Sequence, residues 1–172
     1  MLTCFAALLS ACGSSDESTG SSDQPTFENV ESLPPLETEA DLVFTNGDSS
    51  TTLSLADLEE IETVRSEVDE PFIKSRTTFE GPTVDAVFAS LGWDTAGEAH
   101  IWAINDYAYD IAMTDLVDGD AMIATRENGK AIPVDAGGPA RIVFPDWSPI
   151  AGTEDAWVWS VGKVDVLDPA GA

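Results

Sequence analysis

Arg126-Glu127-Asn128-Gly129-Lys130-Ala131-Ile132-Pro133-Val134 is followed, two residues later, by Gly137-Gly138-Pro139-Ala140-Arg141-Ile142-Val143-Phe144-Pro145. Asn-Gly tolerates the positive φ that a tight hairpin turn needs at its centre, so the first block predicts strands over 121–126 and 131–134 around a turn at 127–130. The second block predicts a short strand over 141–144 behind a Gly-Gly-Pro turn.

Outward from these blocks the pattern stays rich in strands. Asp41 to Thr45 reads as a strand ending in an Asn46-Gly47 turn, and Ser54 is placed to cap a helix starting Leu55-Ala56-Asp57-Leu58. Thr83 precedes Val84, Val87, Phe88 and Leu91, an apolar stripe at helical spacing that Gly92 terminates. Strands over 100–104 and 109–113 flank an Asn105-Asp106-Tyr107 turn, and a last strand is expected from Trp157 to Val166. Many short strands with two or three short helices define a single β-rich α+β domain over 41–172.

The N-terminus carries different information. Leu2 to Leu9 form an apolar run far shorter than the roughly 20 residues a bilayer requires, and it passes through Ser10 and Ala11 to Cys12. Leu9-Ser10-Ala11-Cys12 resembles the bacterial lipobox, which predicts a signal peptide over 1–11 and lipid on Cys12. No Lys or Arg precedes the run, as expected if translation starts upstream of Met1. Residues 13–40 hold seven acids, no base and a Pro34-Pro35 pair, so 12–40 reads as a lipidated cysteine followed by a disordered acidic tether. The expected location is extracytoplasmic, lipid-anchored to a bacterial membrane at its periplasmic face or the cell surface.

Two compositional facts exclude whole classes of function. The only cysteines are Cys4 and Cys12, so residues 41–172 contain no disulfide, zinc ribbon, redox pair or thiolate nucleophile. The formal net charge is -25, a field that repels phosphate backbones and excludes a nucleic-acid partner. Such an excess of acids reads first as a solvating surface.

The order Thr78-Phe79-Glu80-Gly81-Pro82-Thr83-Val84, Asn105-Asp106-Tyr107, the two blocks quoted above, and Trp157-Val158-Trp159-Ser160-Val161 resembles the oxidoreductase molybdopterin-binding domain of sulfite-oxidase-like proteins. The resemblance runs from about Leu42 to Leu167, and its specific part is the pair of neighbouring blocks. It implies a mixed fold that, in the enzymes, cradles a pterin dithiolene carrying molybdenum and moves an oxygen atom to or from a small substrate. It also implies a metal-ligand cysteine on the segment before Phe79.

That segment reads Glu62-Thr63-Val64-Arg65-Ser66-Glu67-Val68, with Ser66 nearest the expected position and no cysteine. A serine hydroxyl is a harder donor than thiolate and stays protonated near neutral pH. Where the family usually carries a Lys beside the Trp of the last strand, this chain has Asp155-Ala156-Trp157. Arg141 could meet a cofactor phosphate or small oxyanion bidentately, near Gly138 and with Lys163 or Arg65 helping; the alternative is a structural ion pair with one of the many carboxylates.

The remaining candidates are weaker. His100 is the only histidine and reads as structural; Asp115, Asp118 and Asp120 around Gly119 depart from the spacing of a calcium loop and read as a solvated turn. Trp147, in the loop after the second block, is a candidate lid. Two functions stand against each other. One is a noncatalytic lipoprotein that binds a small anion, another ligand or a protein partner, with no cofactor expected. The other is an active oxidoreductase holding a molybdenum cofactor through the pterin alone or through an oxygen ligand such as Ser66, with Gly138 and Arg141 as further cofactor contacts.

Overall fold

The computed structural model describes residues 26–167; the signal peptide, Cys12 and the first half of the expected tether lie outside them. In chain order the elements begin with β1 (Glu28–Asn29), β2 (Asp41–Asn46), β3 (Ser49–Ser54), α1 (Leu55–Ile61), β4 (Val64–Glu70) and β5 (Ser75–Gly81). They continue with α2 (Val84–Leu91), β6 (Glu98–Ala103), β7 (Ala108–Ala112), α3 (Met113–Asp118) and β8 (Met122–Ala124). β9 (Arg126–Glu127), β10 (Lys130–Ala131), β11 (Arg141–Val143) and β12 (Val161–Leu167) complete the set. The result is a single mixed domain rich in sheet, as the sequence predicts.

One five-stranded sheet has the order β3-β2-β12-β6-β7, in which only β12 and β2 run parallel; a second has the order β1-β4-β5-β9-β10. The capping signals are realised. The Ser54 hydroxyl accepts the Asp57 N–H while the Asp57 carboxylate accepts the Ser54 N–H, and Thr83 Oγ1 accepts from Ala86 at the start of α2. Apolar residues of α2 and β2 then close the core, with the Phe44 and Phe88 rings edge to face at 6.4 Å.

The Asn128-Gly129 turn is present, both residues at positive φ, but its arms β9 and β10 are two residues each. β8 instead pairs antiparallel with β11, Arg141 opposite Ala124. Pro133 offers no N–H to extend the hairpin ladder, and the chain bends into a 3-10 turn over Val134–Ala136. The strand expected from Trp157 begins only at Val161, because Trp157 closes the 3-10 turn Glu154–Ala156 and Ser160 sits at φ +56°. β4 and β5, the longest hairpin, were not expected.

The tether expectation needs correction over its described part. β1 pairs with β4, Val30 N–H donates to the Thr63 carbonyl at 2.9 Å, the Ala40 carbonyl accepts from Leu55, and Arg126 Nη2 donates to the Pro34 carbonyl at 2.6 Å. Phe27 also meets the edge of the Trp147 ring at 5.3 Å. The physical reason is the edge of β4: its N–H and C=O groups need partners, and a strand supplies them whatever its charge.

On the other sheet, Asp165 accepts hydrogen bonds from Lys163 at 2.6 Å, Trp102 Nε1 at 2.8 Å and Thr45 Oγ1. Burial pushes this carboxyl up, but the hydrogen bonds outweigh it and the net shift is downward. A depressed folded-state value means stability that is present above the ordinary aspartate value of about 3.9 and lost as pH falls through the lower folded value. Asp165→Asn is therefore expected to lower the urea midpoint at pH 7, with the gap to wild type closing as the pH drops below that range. A gap that stays constant down to acid pH would rule this linkage out.

Candidate functional site

Alternation along β4 turns Val64, Ser66, Val68 and Glu70 to the interior, so Ser66 is 7% exposed and lies in register with Phe79 of β5. Arg141, on β11, places its guanidinium 5.7 Å from the centre of the same Phe79 ring and 4.0 Å from that of Trp159. The structure thus gathers Ser66 and Arg141 around Phe79. Gly138 follows in the backbone before Arg141, where its N–H donates to the Pro133 carbonyl at 2.8 Å. That N–H is already spent within the fold.

Arg141 is 2% exposed, and its Nε and Nη1 have no hydrogen-bond partner among the described residues. Its Nη1 stands 3.2 Å from Glu127 Oε2, its Nη2 donates to the Ala136 carbonyl, and its plane lies against Trp159. Burial pushes the guanidinium below its usual range, with Glu127 and Glu70 pulling back the other way. A Cβ on Gly137, at φ +87°, would sit 2.6 Å from Trp159 Cε3 and 3.2 Å from Arg141 Nε, so only glycine lets the Trp159–Arg141 stack close over this turn. The structural ion pair is the arrangement observed, reinforced by a cation–π contact.

The other arginines and Lys163 are committed elsewhere. Arg65 pairs with Glu80 at 2.6 Å and Glu28 at 3.3 Å, and Lys163 with Asp165 on the opposite sheet, so neither assists Arg141 as expected. Arg126 meets Glu59 through Nε and Nη2, each at 2.8 Å. Arg76 pairs with Glu67, Asp69 and Asp146.

His100 Nδ1 pairs with Asp110 across β6 and β7, with its ring 4.3 Å from that of Trp102. Asp115 and Asp118 lie on α3, Asp120 accepts from Trp147 Nε1 at 2.7 Å, and no group of three or more metal-ligating side chains occurs among the described residues. Trp147 is therefore a clasp on Phe27 and Asp120; the expected lid role finds no support.

A cavity of about 420 Å³ opens beside Trp159, within the size range of small-ligand sites. It is lined by Phe72, Asn105, Tyr107, Glu154, Asp155, Trp157 and Trp159. Phe72 reaches it from the β4–β5 turn, whose shape is held by Glu70 accepting the Ile73 N–H and by Lys74 donating to the Glu70 carbonyl. Tyr107 is fixed by its hydroxyl, which donates to the Asp155 carbonyl at 3.0 Å, and Trp157 by its Nε1, which donates to the Ala151 carbonyl at 3.0 Å. None of these seven is a site residue in the sequence reading.

A family model for the oxidoreductase molybdopterin-binding domain matches residues 41–162. The chain belongs to that family. Among solved structures, the sulfane dehydrogenase SoxCD from Paracoccus pantotrophus is similar in fold, with a TM-score of 0.59 at 17% identity, the match covering 75% of this chain and 38% of that one. This chain thus spans well under half of that relative. No curated protein sequence matches it.

The residues present fit the family's cofactor poorly. No cysteine stands in 26–167, and the hydroxyl of Ser66 is a hard donor where a soft one is wanted. Two buried acids lie on the same hairpin: Glu70 and Glu80 are 1% and 2% exposed, each with one carboxylate oxygen lacking a partner among the described residues. Arg141, 2% exposed, is stacked against Trp159 and stands beside Glu127.

Proposed function

We propose that this chain is a noncatalytic, ligand-binding member of the molybdopterin-binding oxidoreductase family, carried on the outer face of a bacterial membrane by lipid on Cys12. The observation that carries the reading is Ser66: the position nearest the expected metal ligand holds a buried hydroxyl in register with Phe79 where the family has a thiolate, and Arg141 is held by Trp159, Glu127 and the Ala136 carbonyl. Ligand binding, not electron transfer, is what the aromatic cavity beside Trp159 supports. The lipid anchor rests on Leu9-Ser10-Ala11-Cys12, and no helix among the described residues is long and apolar enough to cross a membrane.

The test uses the full chain, exported in a host that makes molybdenum cofactor, with metal counted per chain and oxidised pterin read by fluorescence. Both are expected at background in a folded sample. Near-stoichiometric molybdenum and pterin would overturn the noncatalytic reading in favour of an oxygen-ligated oxidoreductase. Membrane fractionation of the same cells tests the anchor: Cys12→Ser should move the chain to the soluble fraction, and an unchanged distribution would remove the lipid from the account.

A further inference from the structure

The cavity beside Trp159 has a wall chemistry that selects by charge. Four of its seven lining side chains are aromatic, two are carboxylates, one is an amide, and none is basic. Phe72 and Trp159 meet edge to face at 5.4 Å and 77°, which sets two ring systems at nearly a right angle, the geometry of a cage corner. Phe72 and Tyr107 remain 48% and 42% exposed, an unusual degree for side chains otherwise held in defined turns. We propose that this cavity is an aromatic cage for a small alkylated ammonium cation, with Glu154 and Asp155 at its rim as the counter-charge.

The proposal rests on the noncatalytic ligand-binding reading and names its ligand class. Aromatic faces attract cations through the ring quadrupole, most strongly where several rings surround a poorly hydrated, methylated ammonium. Trp159 already shows this preference, since the Arg141 guanidinium lies against it at 4.0 Å. Arg141 does not line the cavity, and Glu127 at 3.2 Å balances its charge, so it does not oppose a second cation. The Tyr107 phenol is pushed up by burial, then by Asp155 and Tyr109, consistent with negative potential at the cage wall. Trp159 Nε1 itself is buried, so what Trp159 offers the cavity is its ring.

The discriminating pair of probes is choline and its uncharged carbon isostere, 3,3-dimethylbutan-1-ol, titrated calorimetrically into the full chain. Choline is expected to bind saturably at one site, and the isostere at least about tenfold more weakly, since the shapes match and only the charge differs. Phe72→Ala and Asp155→Asn each change a solvent-accessible position and are expected to weaken choline about fivefold to tenfold while circular dichroism stays unchanged. Equal affinity for both probes, or no choline binding by a folded sample, overturns the cage. Molybdenum and pterin counted on the same sample keep the two readings apart. Metal-free protein that ignores choline sinks the cage alone, whereas stoichiometric cofactor sinks the reading beneath it.

Discussion

Glu59→Ala is expected to cost about 3–5 kcal/mol of folding stability, the loss typical of breaking a buried ion pair by removing one partner. Arg126 is 2% and Glu59 13% exposed at the side chain, and the two meet in a bidentate contact with both distances at 2.8 Å. The Glu59 carboxylate also accepts from Thr125 Oγ1 at 2.7 Å, while Arg126 reaches the Pro34 carbonyl. Removing the acid leaves a guanidinium buried without counter-charge and loosens α1, β9 and the 26–40 segment together. Urea unfolding measures the cost, and a change under about 1 kcal/mol would mean that water or a neighbouring acid takes over the pairing. The double variant Glu59→Leu with Arg126→Met is expected to recover much of the loss, because the burial penalty for both charges disappears with the pair.

Gly138→Ala is expected to destabilise by about 3 kcal/mol or more, at the upper end of overpacking effects. A Cβ there would overlap the Ile132 carbonyl oxygen, and would stand 2.6 Å from the Ile132 carbonyl carbon and 2.9 Å from the Pro133 oxygen. All three are backbone atoms, so no rotamer change relieves the contact. Gly152→Ala supplies the comparison, since a Cβ at that position meets nothing within 4 Å and should shift stability by no more than about 0.5 kcal/mol. Thermal and urea unfolding of the pair decide it; equal midpoints would mean the 132–133 backbone moves freely. Gly138 in this chain acts as a packing glycine, with its N–H donated to Pro133 and its missing side chain filled by Ile132.

Where local chemistry dominates, sequence and structure agree closely. Ser54, Thr83 and Gly92 bound helices because caps depend on residues three or four positions apart. Asn128-Gly129 turns the chain because both residues accept positive φ. The β4–β5 hairpin is hidden in the sequence for a physical reason. Its inward face alternates apolar and polar, Val64, Ser66, Val68, Glu70, so the alternation is one of burial and not of hydrophobicity. The 26–40 segment is hidden for the opposite reason: acidic, proline-containing composition masks backbone groups that pair perfectly well with β4.

The candidate site divides in the same way. The absence of a cysteine near Ser66 and the shortage of bases are properties of composition, and the sequence alone determined them, together with the family-specific order of the two glycine-containing blocks. It determined equally that residues 41–172 can use no thiol chemistry and that the chain carries a strongly negative field. Only the tertiary structure decided that Arg141 lies sealed between Trp159 and Glu127, and that Phe72, Tyr107, Trp157 and Trp159 wall one cavity with Glu154 and Asp155. Those six residues come from three turns separated by more than thirty positions along the chain, and nothing local couples them. Their meeting depends on β4–β5, β6–β7 and the 3-10 turn before β12 being fixed by two different sheets, and sheet registry is a long-range property of the fold.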